Sequence, residues 1–358
     1  MRVRLRFSGS SFAQRCSGWC PLSLAFLLLV LAFALFNSAV QAQSSVVLVG
    51  TGSSVPAPLY NRWTQEYGKR NASIQIRYLP IGTSEGIKEI SRGASDFGAG
   101  EAQLTEKQRK EGNLTELPVV LIGIVPIYNL PDLHQELRLS GDVLAEIFLG
   151  DVKTWNAPQI ARLNPDVTLP NLPIQVINRP AGKGSNYVFT DFLSKVNSKF
   201  RGEVGVSPSP KWPVGEPAER SSDMADKVKN ISGSIGYVEY QYAVKAGIPQ
   251  ATVLNPAGKF VKASMDTIAA ACDAAEEPRW NSFSASLTNV SGADSYPITS
   301  FTWIYLRTPV SDAARAAALS DLLDWIYSDG QRSAVLEGYS ALPAQMLAAV
   351  RKKAKSLQ

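Results

Sequence analysis

Histidine occurs once in these 358 residues and cysteine three times, and those scarcities exclude several chemistries. A structural zinc site needs Cys and His ligands at short spacings, and no such cluster is present. A Ser–His or Cys–His nucleophilic pair would have to be built around His134 alone, in the polar run PDLHQE, which reads as a surface loop. Cys16 and Cys20 fall near the N-terminus, and Cys272 lies in the Ala-rich helical pattern IAAACDAA, where it reads as a small buried apolar residue. Acid is also missing early: none precedes the apolar run at residues 21–36. That run is shorter than the roughly twenty residues a bilayer span requires. It is followed by AVQA at 39–42, a small-residue site of the kind signal peptidase cuts. Residues 1–42 are therefore read as a secretory signal cleaved after Ala42, leaving an exported, periplasmic chain. Without the leader's four arginines the formal charge falls from +5 to +1, so the high pI gives no argument for nucleic acid or a membrane surface. Repeats, heptads and long Ser/Gly linkers are lacking too. One remaining cysteine cannot form an internal disulfide, and a chain of this length does not need one to bury a large core.

What the chain does contain is an alternation of strand, small-residue turn and helix, the α/β signature. SVVLV (45–49) is an apolar run of strand length. GTGSSVPAP follows, then a helical spacing of Leu59, Tyr60, Trp63 and Tyr67 whose start is marked by Pro56 and Pro58. IQIRYL (74–79) alternates like a strand, and GTSEG (82–86) opens a second helix. DFGAG ends at Glu101, and PVVLIGIV (118–125) has the look of a central strand. LPIQVI (172–177) is a strand leading through NRPAGKGSNYVFT into a helix over 186–196. Residues 201–222 read as loop. A late strand covers 298–306, and an amphipathic helix covers 311–329, with Leu319, Leu322, Leu323 and Ile326 on one face and Gly330 as its stop.

The motifs divide into failures and survivors. GTGSSV matches a dinucleotide fingerprint at its first two glycines, but the third is Val55 and no acid ends the following strand. GKGS lacks the P-loop's upstream glycine and has Gly184 where Ser or Thr must follow the lysine. Three small-polar turns remain, each at the start of a helix: Ser53-Ser54, Thr83-Ser84 and Gly184-Ser185. Any one alone reads as an N-cap. Three together, the last preceded by the permanently charged fork of Arg179, read as a shared anion site of free amides and helix dipoles.

GTGSSVPAPLYNRW, IGTSEGIKEI, DFGAGEAQLT, FLGDVKTWNAPQIARLNP, NRPAGKGSNYVFTDFL, GSIGYVEYQYA and SYPITSFTWI occur in the order found in periplasmic phosphate-binding proteins. Nearly the whole chain beyond the leader thus resembles the PstS-type receptors of phosphate ABC transporters. The resemblance implies a type II periplasmic-binding fold, two α/β lobes joined by two crossover strands, with one phosphate buried in the cleft. It implies roles for Ser54 (hydroxyl and N–H), Val55 (N–H), Thr83 (hydroxyl and N–H), Arg179, and the pair Gly184 and Ser185. Three positions depart from the family pattern. Glu101 stands where Asp is usual, Lys183 where Ser is usual, and Ala181 where an Asp usually pairs with the arginine. The family's Asp accepts a hydrogen bond from a proton on phosphate, which excludes sulfate. Glu101 keeps that acceptor with one more methylene, and Lys183 is expected either to couple to it and the anion or to face solvent.

The reading is an extracytoplasmic receptor that captures inorganic phosphate and delivers it to an inner-membrane ABC permease. It is expected to be a monomer that is not an enzyme, has no cofactor or metal, and binds no nucleic acid. Residues 43–123 and 299–358 form domain I and 124–298 domain II. Receptors for another oxyanion (sulfate, arsenate) and a phosphate-ester hydrolase are the alternatives.

Overall fold

An uninterrupted apolar run calls for a strand buried on both faces, and Leu114–Tyr128 forms one, fifteen residues long with a single position short of full burial. The computed structural model describes residues 45–275 and 286–357. The expected leader, its cleavage site, Cys16 and Cys20 lie outside the described residues. Numbered along the chain, the strands are β1 (Val46–Gly52), β2 (Ile74–Leu79), β3 (Phe97–Gly100), β4 (Leu114–Tyr128), β5 (Arg138–Leu139), β6 (Gln175–Asn178), β7 (Glu216–Pro217), β8 (Ser234–Glu239), β9 (Thr252–Leu254), β10 (Phe260–Val261) and β11 (Thr299–Arg307).

Eight of them form one sheet in the order β2-β1-β3-β11-β4-β8-β6-β7, and β10-β9-β5 form a second. β1 runs parallel to both β2 and β3, which suits its apolar sequence. The edge strand β2 alternates, with Ile74, Ile76 and Tyr78 inside and the residues between them exposed. β4 changes partner midway: residues up to Gly123 pair with β11, and those from Ile124 onward pair with β8. The molecule therefore has the two-lobed α/β architecture of the type II periplasmic-binding fold, with β1–β3 and β11 in one lobe, β6–β8 in the other, and β4 running through both. The β4/β11 register slips by one residue where Trp303 faces Pro118. Proline has no N–H to give the ladder, so the irregularity falls there.

The helices that bear on the site are α1 (Ala57–Arg70), α2 (Thr83–Ser91), α3 (Gly184–Val196), α4 (Tyr240–Ala246), α5 (Ala313–Ile326) and α6 (Asp329–Leu336). α1 starts behind a proline and buries Leu59, Tyr60, Trp63 and Tyr67, as their spacing predicts. α5 buries Leu319, Leu322, Leu323 and Ile326. Gly330 is not its stop. The helix ends at Ile326, Ser328 turns the chain, and Gly330 lies inside α6. Its carbonyl accepts from Trp63 Nε1 at 3.0 Å, and a Cβ there would lie 3.3 Å from the Trp325 ring. This glycine serves close packing between helices. Residues 201–222, read as loop, also carry the two-residue strand β7. Cys272 is free and fully buried, its thiol pushed up to about 12 by desolvation. No helix among the described residues is long and apolar enough to cross a membrane.

Candidate oxyanion site

Each candidate residue follows the C-terminal end of a strand in the main sheet: Ser54 and Val55 after β1, Thr83 after β2, Glu101 after β3, and Arg179 and the 183–185 turn after β6. Within each lobe these strands are parallel to a neighbour, so their C-termini open on the same edge, where open α/β sheets bind ligands.

Glu101 is 1% exposed. Its Oε2 accepts from Thr83 Oγ1 at 3.2 Å, and its Oε1 has no partner. Burial pushes its carboxyl up to about 8; the Ser53 and Thr83 hydroxyls and the Arg179 charge pull it down, and Glu239 pushes it further up. Glycines make this crowding possible. A Cβ on Gly184 would sit 1.8 Å from Glu101 Oε2 and 2.5 Å from Thr83 Oγ1, and one on Gly100 would sit 2.4 Å from Thr83 Cγ2. The start of α3, from one lobe, is thus laid directly on Glu101 and Thr83 of the other. A backbone bond crosses at the same place, from Ser84 N–H to the Gly182 carbonyl (3.2 Å).

Arg179 is 1% exposed. One terminal nitrogen donates to Ser54 Oγ at 3.3 Å, and Nε has no partner. Its backbone is held more firmly than its side chain. The Arg179 carbonyl accepts from Trp212 Nε1 at 3.1 Å and from Asn186 Nδ2 at 3.3 Å. The same Asn186 amide reaches the carbonyls of Pro180 (2.7 Å) and Pro208 (3.1 Å), while its oxygen accepts from the Tyr237 hydroxyl.

The three turns can now be told from simple caps. None of α1, α2 and α3 has a side-chain cap. Ser53 Oγ accepts from Val55 N–H at 3.1 Å, so the amide expected of Val55 is engaged within its own turn. Thr83 spends its hydroxyl on Glu101, and Ser185 Oγ is buried with no partner. A buried hydroxyl, guanidinium nitrogen and carboxylate oxygen left unpaired at one place are what a polar ligand would complete. Lys183 stands apart from this group. Its ammonium lies 3.4 Å from the carboxylate of Glu219 and its N–H bonds to the Pro208 carbonyl at 3.1 Å; no Lys183–Glu101 ion pair forms among the described residues. His134 is exposed on a loop.

Ser53 was read only as part of its small-polar turn; Asn186, Trp212, Tyr237 and Glu239, which lie at or behind the candidate site, were not singled out by the sequence. Asn186 had a faint signal, a polar residue one turn into a helix at a position that packs inward. Glu239 had none.

Residues 39–330 match the family model described as PBP superfamily domain. The chain is 34% identical over 334 residues to phosphate-binding protein PstS of Pasteurella multocida, covering 92% of this chain and 95% of that one. It is 34% identical over 310 residues to the PstS protein of Haemophilus influenzae, covering 86% and 92%. Among solved structures it resembles a phosphate ABC transporter substrate-binding protein from Clostridium perfringens, at a TM-score of 0.62, 16% identity, and coverage of 83% and 100%. The chain belongs to the PstS family of phosphate-binding proteins within the PBP superfamily.

Proposed function

We propose that this protein captures inorganic phosphate between its lobes in the periplasm and hands it to the ABC permease of the inner membrane. The observation that carries the reading is the convergence of Arg179, Ser54, Thr83, Glu101 and the Gly184-Ser185 helix start on one buried place, with polar atoms of Arg179, Glu101 and Ser185 unpaired. The guanidinium and the positive ends of three helices supply positive potential. The Glu101 carboxyl supplies the single position where a proton is shared with the ligand. Phosphate can provide or take that proton; sulfate near neutral pH cannot provide one. An ionised Glu101 facing unprotonated sulfate would leave two negative groups in contact without a hydrogen, a costly mismatch in a dry cleft. In this reading Val55, buried and with its amide on Ser53 Oγ, shapes the first turn, and Lys183 belongs to the rim through its charge. Domain I comprises residues 43–123 and 299–358 and domain II residues 124–298, closing about Gly123–Ile124 and Ile298–Thr299. The protein is a binding protein and no turnover is proposed. Thermal-shift titration against phosphate, sulfate, arsenate and molybdate tests the reading, because a ligand of the native state alone raises Tm. Phosphate is expected to raise it in excess sulfate at alkaline pH, and a response to sulfate or molybdate but not phosphate would overturn the assignment.

A further inference from the structure

Two buried groups of opposite charge sit near this site with little to neutralise either. Arg179, 1% exposed, has only the neutral Ser54 hydroxyl on its side chain. The acid that pairs with the arginine in the family pattern is replaced here by the exposed Ala181. Glu239 is 0% exposed, and neither of its carboxylate oxygens has a hydrogen-bond partner. A lone buried ion of either sign is strongly unfavourable, so two of opposite sign that act on the same neighbours are each other's natural compensation.

The topology puts them together. β6 and β8 are adjacent and parallel, with Val176 beside Ile235. Arg179 stands just past the end of β6 and Glu239 is the last residue of β8, so both emerge at the same edge. Tyr237 and Glu239 are two apart on β8 and share a face. That face looks at the Arg179 loop, because the Tyr237 hydroxyl bonds Asn186, whose amide holds the Arg179 carbonyl. Three groups also feel both charges at once. Arg179 lowers and Glu239 raises the proton affinity of Glu101, of Tyr237 and of Tyr242, in each case beneath a larger effect of burial. Tyr339, from the far end of the chain, feels Glu239 as well.

We propose that Glu239 is a positioning residue for anion binding, supplying through space the negative charge that holds the Arg179 guanidinium in the cleft in place of an acid at 181. The inference rests on the phosphate-binding reading above. It makes Glu239 a competitor of the anion for the same guanidinium. Removing its charge leaves the guanidinium with one less competing negative group besides Glu101, so binding tightens while the protein without ligand loses stability. A carboxylate kept only for packing would lower stability and leave affinity unchanged.

The test is Glu239→Gln, with phosphate affinity measured by calorimetry and Tm measured with and without saturating phosphate. Binding is expected to tighten on the order of tenfold, the size of one unit charge acting across roughly 12 Å at an effective dielectric near 20. The loss of Tm is expected to shrink at saturation. Ala181→Asp in the Glu239→Gln background returns a charge from an exposed position and is expected to restore the parent's affinity. If Glu239→Gln alone does not fold, this double variant must, and its failure to fold counts against the proposal. Unchanged or weakened binding in Glu239→Gln, with the parent binding phosphate normally, overturns this inference alone. A parent that binds no tetrahedral oxyanion overturns the binding reading and this inference with it.

Discussion

An acid kept almost wholly from water holds its proton longer than one in a peptide, and Glu101 does so up to about 8. Its folded value is raised above the unfolded one, so between those two values the native state binds the extra proton. Stability must therefore fall as pH rises from about 5 to about 8, where the buried carboxyl is forced to ionise. We expect the Tm of the ligand-free protein to fall across that window, and Glu101→Gln to flatten the slope. The same titration bears on selectivity: a protonated Glu101 can donate to sulfate, and an ionised one rejects it. Competition by sulfate against phosphate should therefore grow as the pH is lowered. Lys183 makes the opposite case. Its partner Glu219 has 70% of its side chain exposed, and such pairs are worth at most about 1 kcal/mol. Lys183→Ser is expected to leave phosphate affinity within about threefold, as calorimetry at low and moderate salt would show; a larger loss that vanishes with salt would put the lysine on the anion.

At the scale of elements, the joint between the Arg179 loop and α3 is held by one side chain. Asn186 spends its amide on the carbonyls of Arg179, Pro180 and Pro208, and it is 0% exposed. Asn186→Ala strands the Pro180 carbonyl, at a cost of about 1–3 kcal/mol, and takes one donor from the Arg179 and Pro208 carbonyls, which keep Trp212 and the Gly182 and Lys183 amides. Chemical denaturation should show that loss, and phosphate affinity should drop with it because the Arg179 carbonyl is then held by Trp212 alone. The sequence made the strands and helices legible wherever burial is periodic or continuous, as in β2, β4 and α1. It also exposed the three small-polar turns and Arg179, because glycine, hydroxyl and arginine at a helix start carry their chemistry locally. Gly330 was misread because a glycine near a helix end looks the same whether it stops a helix or admits a tryptophan. Asn186 and Glu239 stayed hidden for a related reason. Their meaning comes from partners such as Tyr237 and the proline carbonyls, which only the packed chain brings near.

On the scale of the whole molecule, the lobes meet through the Ser84 amide on the Gly182 carbonyl and through Arg179 on Ser54. Phosphate is expected to slow hydrogen exchange at Ser84, whose amide is protected only while the lobes touch, and to leave the central amides of β4 unchanged. Equal slowing at both would mean that ligand acts by global stabilisation and not by closure. The sheet order has a further consequence. β11 lies between β3 and β4, yet it begins at Thr299, long after both. A growing chain reaches residue 128 with a gap at the heart of its first lobe that only residues 299–307 can fill. The second lobe, complete earlier, is free to form first, and the pocket comes into being only once the tail end has threaded back.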